Sequence, residues 1–298
     1  MEPLFDNTVN ADEPIYNYIR ADSGQTAKDA KMFTESLWQK YYPHADAHFR
    51  VKIQKCFHVR FWEMYLACTL MDKGYNITSR NTGPDIRIEH KGNIIWTEAI
   101  APTGGSQSST DKVPELVITD PPTAQQVPEA QIILRYRAAI REKHDNKYYG
   151  HLRSGIIKEK DCYVIAINGC QIPSSRADFE PPRIVRSVLP IGYPQVTVDT
   201  ISKQIIGKSH QYRPDITKAS GRSVKTDIFL DPCYKHISAV LFSNVDVFNR
   251  TESMGDDFII VHNPLAHSSL PDDFLDFCQQ WKAELRGNEL TVLAKSQR

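Results

Sequence analysis

Residues 58–101 read HVRFWEMYLACTLMDKGYNITSRNTGPDIRIEHKGNIIWTEAIA, and the apolar rhythm of this stretch changes along its length. From about Lys55 the apolar positions follow a helical period that ends before Gly74, a natural stop. Beyond it lie three short runs, Tyr75–Ser79, Asp85–Glu89 and Ile94–Ala101, the last two divided by the turn Lys91-Gly92-Asn93. One helix followed by a three-stranded meander is the expected outcome.

Three carboxylates interrupt this pattern. Glu63 shares a helical face with Val59, Leu66 and Leu70, and a carboxylate within an apolar stripe must meet a cation, a metal or hydrogen-bond donors. Pairing with Arg60, or a position at the stripe's edge, is the plainer alternative. Asp85 closes the tripeptide Gly83-Pro84-Asp85 where a strand begins, a tripeptide that is also ordinary turn punctuation. Glu98 shares a strand face with Ile94, Trp96 and Ile100. It would face solvent on an edge strand, but its Ile, Trp and Ala neighbours argue for a central one.

On the N-terminal side a helix is expected from about Ala27 to Tyr41, with Met32, Leu37 and Tyr41 near one face. Residues 1–25 are polar and acidic and read as a loose arm. On the other side, residues 102–128 hold five prolines and many small polar residues, which suggests a mobile flap. Glu129–Lys147 has helical composition and Cys162–Asn168 reads as an apolar strand, giving the order α-β-β-β-α-β. Residues 171–235 are rich in Pro and Ser, with isolated strand-like pieces such as Gln195–Val198. Ile237–Ser243 and Phe258–His262 read as buried strands, and Pro271 is expected to open a closing helix with Phe274, Phe277 and Trp281 on one face. The expected fold class is α/β: one domain over 1–298 with a mixed central sheet flanked by helices. It comprises an N-terminal helical extension 1–54, a core 55–170, an irregular insertion 171–235, and closing strands and helix 236–298.

The chain has 298 residues, 41% hydrophobic and 24% charged, enough for one large core or two modest ones. No apolar run approaches the roughly 18 residues that span a bilayer. The start, MEPLFDNTVNADEP, has neither the basic segment nor the apolar core of a secretory leader, so a cytoplasmic location and no membrane partner are expected. The six cysteines form no CxxC pair and no zinc-type spacing, which reads as reduced thiols. Lys plus Arg equals Asp plus Glu at 36 each, so a nucleic-acid partner would have to be held by a local patch. GxxxxGK[ST], GxGxxG, HExxH and a nucleophile elbow are all missing, which argues against a nucleotide-driven motor, a metalloprotease or an esterase.

In order and spacing, the helix residue Glu63, the pair Pro84-Asp85 and, after twelve intervening residues, Glu98 resemble the catalytic core of the PD-(D/E)XK nuclease superfamily. The resemblance covers residues 58 to about 145. It implies a restriction-endonuclease-like core in which Asp85 and Glu98 hold Mg²⁺ or Mn²⁺, with a main-chain carbonyl near Ala99 completing the shell. The implied activity is metal-dependent endonucleolytic hydrolysis of phosphodiester bonds, on DNA ahead of RNA, with Glu63, Asp85 and Glu98 catalytic. A homodimer would suit cleavage of two strands.

This sequence departs from the pattern at Ile100, which stands where the superfamily carries its lysine, two residues beyond the glutamate. Members of the superfamily can supply that lysine from the following helix, here QIILRYRAAIREKHDNK over 131–147. Lys143 is assigned the migrated catalytic role, and Arg135 with Tyr136 the substrate contacts; a solvated charged face is the alternative. Gln131 and Tyr136 are separated by four residues, where an exonuclease branch has three. Basic and aromatic mixtures at Arg135-Tyr136-Arg137, at Lys147-Tyr148-Tyr149 with His151 and Arg153, and at Lys208 to Arg213 could line a nucleic-acid path. Two other readings stand beside the nuclease. One is a catalytically inactive nuclease-fold protein that binds nucleic acid or a protein partner, with Ile100 recording the loss. The other is an unrelated α/β protein whose three acids do not converge.

Overall fold

The computed structural model describes residues 2–5, 11–21, 23–78, 82–287 and 289–295. The chain opens with helices α1 (Pro14–Ala21), α2 (Gln25–Tyr41), α3 (Phe49–Ile53) and α4 (Phe57–Asp72), followed by strands β1 (Ile77–Thr78), β2 (Ile86–His90) and β3 (Asn93–Ile100). Next come α5 (Glu129–Glu142), a π-helical turn (Lys143–Tyr148), α6 (Tyr149–Arg153), β4 (Cys162–Asn168) and α7 (Arg183–Arg186). Two hairpins, β5 (Ile191–Val198) with β6 (Ile205–Tyr212) and β7 (Asp215–Thr217) with β8 (Ser223–Lys225), precede β9 (Ala239–Ser243), β10 (Ile259–His262), β11 (Gln279–Arg286) and β12 (Glu289–Lys295).

The run CYVIAIN is buried along its whole length as β4, the pattern of a strand covered on both faces. It lies inside an eight-stranded sheet of order β1-β2-β3-β4-β9-β10-β11-β12. The meander β1-β2-β3 is antiparallel, because short turns can only reverse the chain. β3 and β4 run parallel and are joined through α5, the π turn and α6, the long crossover that a parallel pair demands. Two helical layers cover the sheet. Ile86, Ile88, Ile95 and Ala99 pack with α1, α2 and α4, and Trp96, Ile165 and Val240 pack with α5 and α7 on the other face. The chain is therefore a mixed α/β protein with a large mixed central sheet flanked by helices, and no described helix is long and apolar enough to cross a membrane.

Four expectations change. The described parts of the N-terminal arm are tied down: Leu4 and Phe5 are buried, Glu35 accepts both of their amides, and α1 buries Tyr16 and Ile19. Met32 points outward, since Ala27, Ala30, Leu37 and Tyr41 form the inner stripe of α2. The first part of the 102–128 stretch is anchored, with Val113 buried and its amide bonded to the Gly104 carbonyl, and with Arg135 Nε donating to Thr103 at 2.8 Å, while Leu116, Val117 and Ile118 beyond it stay exposed. The closing helix is absent: residues 272–277 form turns in which Leu275 adopts a positive φ of 57°, which no helix continues through. Trp281 belongs instead to β11, paired with Val261 and Ala294. Alternation in QQWKAELR outweighed the helical spacing of the aromatics, and Phe274 packs on Tyr75. Ser79, the end of the first expected strand, lies outside the described residues.

Trp62 links the two main elements of the core, with its ring buried and its Nε1 donating to the Ala166 carbonyl of β4 at 3.0 Å. Trp62→Ala should cost about 3–5 kcal/mol, because it leaves a cavity and removes a buried hydrogen bond. Urea unfolding would measure this, and a loss below about 1 kcal/mol would show that Trp62 does not carry the packing of α4 on the sheet.

Candidate active site

Asp85 precedes β2 and reaches across to β3, where its Oδ2 accepts the Ala99 amide at 2.7 Å. The register Ile86 to Thr97 places it beside Glu98. Gly83 makes the approach possible: its φ is +113°, and a side chain there would come within 2.9 Å of Ile156. Glu98 lies on the face of β3 that carries Trp96, as its strand spacing predicts, and is 5% exposed. Glu63 comes from the opposite helical layer and is equally buried. The charges of Glu63 and Glu98 both reach Asp85, and the strand register sets Asp85 beside Glu98.

Their cations differ. Tyr41 donates its hydroxyl to Glu63 Oε1 at 2.8 Å and Arg60 donates to Oε2 at 2.6 Å, while Arg60 also meets Asp46 at 3.2 Å. Both oxygens of Glu63 are thus engaged, and the Arg60 pairing read from the sequence is present. Lys143 donates to Glu98 Oε1 at 3.1 Å and lies 3.7 Å from Glu142. The lysine assigned to the migrated role therefore meets the strand glutamate. Lys143 opens the π-helical turn, a rare geometry that concentrates at functional sites, and its side chain is buried against β3. His151, on α6, adds Nε2 at 3.8 Å from Glu98 Oε2.

Electrostatics separate the acids. Burial, and after it the charges of Glu63 and Glu98, push the Asp85 carboxyl up to about 8, against the opposing pull of the Ala99 amide and Lys143. Burial also raises Glu63, even though Arg60 and Tyr41 oppose it. Burial acts on Glu98 in the same sense, but His151 and Lys143 outweigh it and hold this carboxyl below the ordinary glutamate value. Burial works to lower Lys143, yet Glu98, Asp85 and Glu142 together keep its ammonium above the usual lysine range. One protonatable acid beside one firmly ionised acid is the division of labour found in many acid–base and metal sites.

Asp85 and Glu98 offer the hard oxygens that a divalent cation prefers. Glu98 Oε2, Glu142 Oε2, His151 Nε2 and the Tyr163 hydroxyl are buried polar atoms without a hydrogen-bond partner among the described residues, and the charges of Glu98, Asp85 and Glu142 all reach Tyr163. An orphaned carboxylate oxygen beside a proton-binding acid fits such an ion. No three His, Cys, Asp or Glu side chains among the described residues stand close enough to hold a metal by themselves, so main-chain or water oxygens would have to complete its shell.

The two expected substrate contacts fall elsewhere. Tyr136 is fully buried, edge-on to Phe242, and its ring offers no face to a ligand. Its place in RYR suggested a surface ring, but it points into the apolar layer with Ile132 and Ile140. Arg135 is half-buried and straps the 102–113 loop through Thr103. Ile100 is partly buried and packs against the same apolar layer. The sequence reading did not join Tyr41 and His151 to the acids. Nothing local marks either one, since each meets its carboxylate from an element distant in the chain.

A proton held by Asp85 in the folded state has a consequence for stability. The carboxyl titrates near its ordinary value, about 4, when unfolded and up to about 8 when folded, so it withdraws stability as pH rises from about 4 to about 8. Asp85→Asn keeps an acceptor for Ala99 and removes this penalty. In EDTA the variant should be more stable than the wild type at pH 9, by about 1–3 kcal/mol, with the difference closing toward pH 4. Thermal melts across this range would read it, and a constant difference at all pH values would refute the buried-acid account.

No family model, curated protein or solved structure matches this chain, so its functional reading rests on its own residues.

Proposed function

We propose that this chain is a metal-dependent nuclease that hydrolyses phosphodiester bonds of nucleic acid, DNA ahead of RNA, within a restriction-endonuclease-like core. The observation that carries the reading is Lys143 Nζ at 3.1 Å from Glu98 Oε1. Convergence of Glu63, Asp85 and Glu98 alone would describe a buried acid cluster. A lysine delivered from the helix after the strand supplies the cation that Ile100 cannot.

Asp85 and Glu98 would hold Mg²⁺ or Mn²⁺, which when bound polarises the scissile phosphate and lowers the pKa of coordinated water. The remaining work falls to the chain. Lys143, held charged by Glu98, Asp85 and Glu142, is available to a non-bridging phosphate oxygen as negative charge grows on it. Tyr41 and Arg60 fix Glu63, so its charge bears on Asp85 from one direction only. His151 stands 3.8 Å from Glu98 Oε2 and adds to the charge that holds this carboxyl ionised. The Ala99 amide holds Asp85 at the mouth of β2.

One observation favours the inactive relative, a nuclease-fold protein that binds nucleic acid or a protein partner. Lys143 is already paired with Glu98 at 3.1 Å and lies 3.7 Å from Glu142, so part of the acid charge is neutralised without a metal.

Purified protein incubated with single- and double-stranded DNA and RNA plus Mg²⁺ or Mn²⁺ separates the two readings. Cleavage should vanish in EDTA and in Asp85→Ala, and Lys143→Ala should lower the rate by about 10²–10³-fold, the usual effect of removing one transition-state donor. If the wild type cleaves none of these substrates, or cleaves as well after Asp85→Ala, the nuclease reading fails.

A further inference from the structure

The β5–β6 ribbon is built unlike the rest of the sheet-forming chain. Its base is firmly held: Ile191 is buried, the Arg213 amide donates to Pro190, Arg213 pairs with the buried Glu129 at 3.0 Å, and Phe179 stacks on Tyr193 at 5.6 Å. Beyond that base nearly every residue of both strands faces solvent. Val196, Val198, Ile201, Ile205, Ile206 and Tyr212 are all strongly exposed, with Ile201 at the turn 93% accessible and Tyr212 74%. Val198 stands directly opposite Ile205, so their side chains form one apolar surface.

A two-stranded ribbon with no layer on either face is marginal in water, and both of its outer edges keep unpaired main-chain groups. The other hairpin at a sheet edge, β11–β12, is guarded by Lys282, Glu284, Arg286 and Lys295. On β5–β6 only Lys203 and Lys208 stand among the apolar residues, because Asp199 is taken up by the Ile201 and Ser202 amides of the turn.

We infer that the β5–β6 ribbon is a self-association arm, and that its partner is the ribbon of a second copy of this chain. The six exposed apolar residues together present roughly 700 Å², close to the ~800 Å² that each partner gives to an interface of ordinary size. Charge selects the partner. The chain has 36 basic and 36 acidic residues and a formal net charge of zero, so two copies do not repel one another. The same neutrality gives no long-range pull toward a polyanion, and two lysines among six large apolar side chains are a poor match for a phosphate backbone. Two ribbons meeting about a two-fold axis would cover Val198, Ile205 and Ile206 on both sides at once, as an isologous contact requires. This inference stands apart from the nuclease reading and would hold for an inactive protein.

Sedimentation velocity of the 298-residue chain at micromolar concentrations tests it. The wild type should sediment as a dimer, and the double variant Val198→Lys, Ile206→Lys as a monomer with an unchanged circular dichroism spectrum. Leu293→Lys, an equally exposed leucine on β12, should leave the dimer intact. The melting temperature of the wild type should rise with protein concentration, and that of the double variant should not. A wild type that remains monomeric overturns the inference, as does a dimer that survives the double substitution. Duplex DNA binding by a monomer, lost in Ile201→Ala with Lys203→Ala, would assign the arm to nucleic acid and overturn it equally.

Discussion

A single hydrogen bond from the Ala99 amide to Asp85 Oδ2, 2.7 Å long, holds the candidate site together. Asp85 lies one residue before β2, and this bond ties its carboxylate to β3. With it, a charge that water would otherwise solvate stands beside two further acids, drawn from an α4 residue on one side of the sheet and a β3 residue on the other. The cost of that arrangement is visible in the raised pKa of both Asp85 and Glu63. Such a concentration of like charge is the opposite of what stability alone selects, and the surrounding cations, Arg60 and Lys143, offset it only in part.

A second buried ionic cluster has a different character. Glu129, in the first turn of α5, meets Arg186 and Arg213, and Arg186 also pairs with Asp178 at 2.8 Å and lies over the Phe179 ring at 3.9 Å. Arg186 is wholly buried and Arg183 nearly so. Here three arginines face two acids, Glu129 and Asp178, so every acid is paired, and the effect is positional. They lock α7 and the base of the β5–β6 ribbon to the helix that carries the Lys143 turn. Breaking one partner would strand an uncompensated charge, so this network specifies a geometry more than it adds net stability. Part of the irregular stretch 171–235 is thereby tied to the element that bears the site lysine.

How much of this was legible in sequence depends on the range of the interaction. The meander, the helix before it and the strand CYVIAIN follow from local period, and β-branched runs between turn residues leave few other options. The closing segment misled because Phe274, Phe277 and Trp281 satisfy a helical spacing, while the alternation over Gln279–Arg286 competes with it. Only pairing with β10 and β12 decides between the two, and that contact lies outside any local window. Tyr136 misled for a similar reason, since a ring between two arginines can turn either way until the sheet beneath it is placed.

The sequence by itself determined the identity and order of the three acids, the strand face of Glu98, and the helix from which a lysine could come, because each depends on residue type and a short repeat. Tertiary structure alone decided which charges meet. Lys143 reaches Glu98 because it closes the inner stripe of α5 after Tyr136, Ala139 and Ile140, and the same chemistry three residues along, at Asn146, would face solvent. Arg60 and Tyr41 claim both oxygens of Glu63, and His151 lies against Glu98, through contacts between elements that are distant in the chain. Burial sets the protonation of each acid, and burial is a property of the packed whole that residue order does not state.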